Sequence, residues 1–114
     1  MIADDSAEIR QMLVRLCAFF PHVEIVGEAE DGRAALAAVR KLKPDVITLD
    51  IRMPKMSGIE VLKAIRAERH ACVVIVLTGM ADEIYRQKCL ELGANYFFEK
   101  ATEFEKVGDV LRAL

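Results

Sequence analysis

The stretch Pro44-Asp45-Val46-Ile47-Thr48-Leu49-Asp50-Ile51-Arg52-Met53-Pro54 sets the reading of the whole chain. Val46 to Leu49 is a short run rich in β-branched residues, and it ends on an acid followed by a proline-bearing turn. A strand covered on one face alternates apolar with polar residues, whereas one covered on both faces stays apolar throughout. Val23 to Val26, broken only by Glu24, and Val73 to Leu77 have the same nearly continuous character, and Met1-Ile2-Ala3, as the remnant of a strand, and Tyr96-Phe97-Phe98 are candidates to complete a set of five.

Helical stretches lie between these runs. Ser6 is placed to cap a helix reaching about Phe19, with Ile9, Leu13, Leu16 and Phe20 on one face and Pro21 as its stop. Asp31-Gly32 opens a second, with Ala35, Leu36, Val39 and Leu42 as its apolar stripe and Pro44 as its limit. Ser57-Gly58 precedes a third, packed through Ile59, Leu62 and Ile65, and Gly58 reads as a turn residue at positive φ. Asp82 starts a fourth that ends before Gly93, and a fifth runs from about Glu103 to Leu114. Gly108 inside that last helix costs about 1 kcal/mol relative to alanine. Strand and helix alternate five times, which predicts an α/β fold with a parallel sheet and helices on both faces. One domain accounts for residues 1–114. The first strand is the oddity: only three residues precede the acids, where about five or six are usual. Either that strand is short, or it is truncated at its amino end.

Composition narrows the classes. Hydrophobic residues make up 54% and charged residues 30%, which excludes a disordered chain. Sixteen basic against eighteen acidic side chains leave a net charge of −2, so the footprint of a nucleic-acid binder is absent. Cys17, Cys72 and Cys89 include no Cys-x-x-Cys pair, and two histidines are too few for a zinc cluster with them. They read as buried small hydrophobes in a reducing compartment. No run approaches the ~20 apolar residues that span a bilayer, and acids stand within the first five positions where a signal peptide would carry basic ones. The expectation is a soluble, cytoplasmic protein with no membrane partner.

Ligands in a doubly wound sheet gather beyond the carboxyl ends of its strands. Standing there are Asp4 and Asp5 after the first strand, Asp50 after the third, Thr78 after the fourth and Lys100 after the fifth. Three carboxylates drawn together repel, and a hard divalent cation relieves the repulsion while keeping them ionised. Mg²⁺ suits them, since it takes oxygen ligands and commonly combines one or two carboxylates with phosphate oxygens. A phosphoryl group beside it would meet the Lys100 ammonium and the Thr78 hydroxyl, with Asp50 as a carboxylate nucleophile.

With these residues in place, the chain resembles the receiver domain of two-component response regulators, of the chemotaxis-regulator kind, over nearly its whole length. The resemblance is carried by Ile2-Ala3-Asp4-Asp5-Ser6, by the stretch from Pro44 to Pro54, by Ser57-Gly58, by Val76-Leu77-Thr78 and by Gly93 to Lys100. It implies a flavodoxin-like (βα)5 fold with strand order 2-1-3-4-5. It also implies a bacterial phosphorelay switch, not an enzyme acting on outside substrates, phosphorylated on Asp50 with Mg²⁺ by a sensor histidine kinase or phosphotransfer protein. By the same resemblance Asp5 ligates the metal directly, Asp4 through water, and Arg52 through its backbone carbonyl. Thr78 and Lys100 approach the phosphoryl group, and Phe97 is the aromatic switch that moves inward with Thr78. The face of the fourth helix, fifth strand and fifth helix then changes shape, and the downstream target or output domain is open.

Two positions depart from the family's pattern. Ala101 stands where a proline, often with a cis peptide, usually follows the lysine; a cis bond before a non-proline costs about 3 kcal/mol, so a trans bond is expected. Phe97 lacks the hydroxyl of a tyrosine. Three rival functions are weaker. An aspartyl-phosphate phosphatase would need a second Asp where Arg52 stands, and a flavin carrier would need a phosphate-cradling first loop where Asp4 and Asp5 repel phosphate. The complete acid, hydroxyl and lysine set also disfavours a receiver that signals without phosphorylation.

Overall fold

The structure, a computed structural model, describes residues 1–114. Five strands, β1 (Ile2–Ala3), β2 (Glu28–Ala29), β3 (Val46–Leu49), β4 (Val73–Thr78) and β5 (Tyr96–Glu99), alternate with five helices. These are α1 (Ala7–Cys17), α2 (Gly32–Leu42), α3 (Gly58–Ala67), α4 (Glu83–Glu91) and α5 (Lys100–Ala113). All pairings are parallel, as the alternation predicts, and the order is β2-β1-β3-β4-β5, the doubly wound flavodoxin-like arrangement that the family resemblance implies.

β4 shows why its sequence is continuously apolar. Val74 and Val76 point into a core shared with Leu36, Val39, Val61, Leu62 and Ile65 of α2 and α3. Ile75 and Leu77 point the other way, against Leu13 of α1 and Val107 and Leu111 of α5. Successive residues of a strand face opposite sides, so two covered faces leave no polar position. The helices begin where side-chain oxygens satisfy their first amides. Ser6, Asp31 and Asp82 each accept from a backbone N–H three residues on, and Ser57 forms a reciprocal capping box with Glu60.

Several boundaries differ from the sequence reading, each for a physical reason. The second strand is Glu28–Ala29, not Val23 to Val26. Register pairs Ile2 with Glu28, so no residue of the sequence lies opposite Val26 and the ladder cannot reach it. The fifth helix begins at Lys100, directly after β5, and not at Glu103. A proline at 101 would push Lys100 out of helical geometry; Ala101 does not, and every peptide bond is trans. Leu42 is exposed despite its place in the apolar stripe, while Val61, between expected contacts of α3, is fully buried. Among the glycines positive φ belongs to Gly93, not Gly58. Gly58 is small for another reason: a Cβ there would overlap the backbone carbonyl of Asp50.

Thr48 is the one buried side chain whose polar atom, Oγ1, finds no hydrogen-bond partner. Leaving such a group unpaired costs about 1–3 kcal/mol, whereas an apolar group of the same shape costs little. Thr48→Val is expected to raise the free energy of unfolding by about 1 kcal/mol, measured by urea denaturation.

Candidate functional site

The carboxyl edge of the sheet collects its polar residues by topology. β1 lies beside β3, so the residues that follow them, Asp4 and Asp50, stand next to each other; the Asp50 amide donates to the Ala3 carbonyl at 3.0 Å. Both side chains are buried, at 2% and 5% exposure, while Asp5 is exposed. Each of the three offers a carboxylate oxygen within 4.8 Å of the others. The cluster therefore has a closed floor and an open mouth.

Lys100 enters from the other side. It follows β5, two strands away from β3, and its long side chain spans the end of β4. Its Nζ donates to Asp4 Oδ2 at 2.8 Å and to Asp50 Oδ2 at 2.9 Å. Three carboxylates against one ammonium leave the cluster two negative charges in excess. Burial would lower the Lys100 pKa, but the hydrogen bonds it donates to both aspartates, with their negative charge, outweigh it and hold the ammonium above its ordinary range. For Asp4 the balance goes the other way. Burial pushes its carboxyl up, and the bonds from Lys100 and the Ser6 amide offset that only in part.

The backbone fixes these groups. Ser6 N–H donates to Asp4 Oδ1 at 2.9 Å, and Arg10 Nη1 donates to the Asp4 carbonyl at 2.7 Å. Asp50 Oδ1 accepts from the Ile51 amide at 2.8 Å, and the Ile51 carbonyl accepts from Gly58 at 2.7 Å. The loop carrying Arg52 is thus tied down at both ends. On its far side Gly32 donates to the Pro54 carbonyl and allows no Cβ, which would overlap the Met56 carbonyl. Sequence reading missed Arg10, and found Gly58 but gave it the wrong role. Both act through backbone groups, which side-chain pattern does not reveal.

Two expected members stand apart from the cluster. Thr78 is fully buried at the end of β4, and its hydroxyl accepts from the Met80 amide at 3.1 Å, not from the acids. Phe97 is buried in the core shared with α2 and α3, and its carbonyl accepts from Arg86 Nη1 at 3.3 Å. The ring already sits inward, while Tyr96 and Phe98 stack on each other on the opposite face, at 5.8 Å between centroids.

Oxygen donors only, three of them anionic and with net negative charge unpaid, suit a hard divalent cation. Mg²⁺ takes oxygens at about 2.0–2.1 Å, so donors spread over 4.8 Å can share one ion directly or through its waters. The fold and this edge define a class: a response regulator receiver domain. The family profile described as the response regulator receiver domain matches residues 1–112, and the chain belongs to that family. It is similar to a protein-glutamate methylesterase/protein-glutamine glutaminase of Nocardioides sp., with 36% identity over 95% of this chain and 30% of that protein. The chain thus spans about a third of the length of such curated relatives.

Solved structures agree. The signal receiver domain of the putative response regulator NarL from Mycobacterium tuberculosis superposes with a TM-score of 0.88 at 34% identity, covering 98% of this chain and 91% of that one. The CheX-CheY-BeF3-Mg²⁺ complex from Borrelia burgdorferi gives 0.89 at 31% identity, covering 98% and 84%.

The raised pKa of Asp4 has a consequence for stability. A carboxyl whose folded pKa lies above its unfolded value favours the fold fully below the unfolded pKa, and that contribution is lost as pH rises through the folded one. Asp4→Asn removes this neutral-pH burden and keeps an acceptor for the Ser6 amide. Without metal its thermal midpoint is expected to exceed the native one by a few degrees at pH 7, with the difference closing near the ordinary carboxyl pKa of 3.8. Paired melts across that range measure it.

Proposed function

We propose that residues 1–114 act as one receiver domain, a phosphorylation switch whose acceptor is Asp50. The observation that carries this reading is the convergence of Asp4 and Asp50 on one ammonium, with Asp5 open to solvent beside them. A phosphohistidine on a sensor histidine kinase or phosphotransfer protein would be the donor. A carboxylate oxygen of Asp50 attacks phosphorus and the N–P bond breaks as the O–P bond forms; the other ring nitrogen of the phosphohistidine carries a proton, so the departing imidazole is left neutral. No acid or base is needed on the acceptor, because a carboxylate is already ionised. The demand is for alignment and charge neutralisation.

Asp5 and Asp50, the Arg52 backbone carbonyl, and Asp4 through water would hold Mg²⁺. When bound, the ion supplies positive charge to the phosphoryl oxygens and removes the repulsion among the acids. The magnesium-bearing CheY complex among the structural relatives supports this choice of metal. Lys100 keeps one proton of its ammonium on Asp50 and turns another from Asp4 to the incoming oxygens. Thr78 exchanges its bond to the Met80 amide for donation to the phosphoryl group, which opens space beneath β4.

Phe97 already lies inward, so phosphorylation holds that position instead of creating it: a shift in population between two packings. The surface read by partners is the α4–β5–α5 face, where Ile84 and Tyr96 are exposed. On this reading the chain performs only its own phosphorylation and dephosphorylation, and any separate activity belongs to another domain or protein.

Incubation with Mg²⁺ and a small-molecule phosphodonor, followed by intact-mass measurement, is expected to show a single phosphoryl adduct. It should be absent without the metal and absent in Asp50→Ala. A protein that gains no adduct, or an Asp50→Ala variant that keeps it, would falsify the assignment.

A further inference from the structure

The loop that carries the Arg52 carbonyl is clasped at its tip by another element, the first turn of α2. We propose that Gly32 is a positioning residue for the divalent cation. Its missing side chain lets α2 close on Pro54-Lys55-Met56, and that contact sets where the Arg52 carbonyl stands. Gly32 offers no ligand atom of its own, and its role rests on the reading of the Arg52 carbonyl as a metal ligand.

Glycine is a poor choice here on local grounds. Gly32 opens α2 at an ordinary φ, since Gly93 is the glycine at positive φ, and glycine disfavours a helix relative to alanine. Space is what requires it. A Cβ at this position would overlap the Met56 carbonyl oxygen and come within 2.6 Å of the carbonyl carbon. Both are backbone atoms, so no side-chain rotation makes room; the loop or the helix would have to move.

Backbone contacts hold the two together. Of the first amides of α2, which have no partner inside the helix, Ala34 donates to the Asp31 side chain at 2.8 Å and Gly32 to the Pro54 carbonyl at 3.2 Å. Met56 N–H donates to that same carbonyl at 2.8 Å. Lys55, between them, has a φ of 69°, a conformation that residues with side chains rarely adopt. Strain of this kind persists only where the surroundings impose it. The ion pair of Lys55 with Asp31 is long, at 3.7 Å, and its lysine is exposed, so it adds little.

Arg52 lies between this tip and the root of the loop. At the root the Ile51 carbonyl accepts from Gly58, and at the tip the Pro54 carbonyl is held twice, while the Arg52 carbonyl accepts no hydrogen bond from the protein. A shift of Pro54–Met56 therefore passes directly to the one carbonyl left free for an ion. Contacts that orient a ligand without being one commonly change metal affinity 10–100-fold. By linkage, the ion must tighten the contact of Gly32 with the loop by the factor that this contact raises the ion's affinity.

Calorimetric titration with Mg²⁺ alone, on the native protein, Gly32→Ala and Val39→Ala, tests this. Val39 is fully buried two turns further along the same helix, so its truncation lowers stability away from the loop. Gly32→Ala is expected to bind Mg²⁺ about tenfold more weakly, and Val39→Ala within twofold of native despite a lower thermal midpoint. Amide exchange in the native protein gives a second reading that needs no variant to fold. Saturating Mg²⁺ should slow exchange of the Gly32 amide at least fivefold and of the Ala34 amide less than twofold. Affinity of Gly32→Ala within threefold of native, equal weakening in Val39→Ala, or the same response at both amides would overturn the inference. A native protein that binds no Mg²⁺ removes the metal reading and this role with it, whereas native binding with Gly32→Ala unaffected removes this role alone.

Discussion

The Lys100 ammonium, shared between Asp4 and Asp50 at 2.8 and 2.9 Å, is the contact on which the carboxyl edge of this sheet depends. Parallel strand order places the first and third strand ends side by side, and both end in acids. Two buried carboxylates cannot share a site without a cation or a proton. A lysine two strands away supplies one positive charge against those two, and the exposed Asp5 deepens the deficit to two. The site is thus left short of positive charge in a way that a divalent ion corrects. Stability and function pull against each other here, as they do wherever a fold carries a strained or charged site.

The fold was legible because the strands are buried on both faces. β3 and β4 were found almost to the residue, since Val46 to Leu49 and Val73 to Leu77 are apolar throughout except for the β-branched Thr48. β2 was misplaced because its apolar residues are not its paired residues. Val23 and Ile25 cover α1 and α5, while pairing is set by the two residues that β1 offers. The early start of α5 turned on one substitution, Ala101, whose effect is on the backbone of its neighbour and leaves no mark in hydrophobic pattern.

At the site, residue identity was readable and geometry only partly so. The four groups that converge, Asp4, Asp5, Asp50 and Lys100, each follow directly from a strand end, where position along the chain nearly fixes position in space. Thr78 also ends a strand, but which way a buried hydroxyl turns depends on a local amide, here that of Met80. Gly58 was noticed and misread: its freedom from a Cβ serves the Asp50 carbonyl, a contact between loops that no local turn rule contains. Arg10 shows the same limit, since it reaches the Asp4 carbonyl across the first turn of α1 and also pairs with Glu28 at 3.4 Å.

If shortage of positive charge governs this edge, removing its one resident cation must make the fold lean on an added one. Thermal unfolding of the native protein and of Lys100→Met, each titrated with Mg²⁺, measures this directly. The variant should melt lower than the native protein without metal and recover most of the loss as Mg²⁺ is added, so that its metal-induced shift is clearly the larger of the two. Equal shifts in both proteins, or a variant that melts no lower without metal, would contradict it.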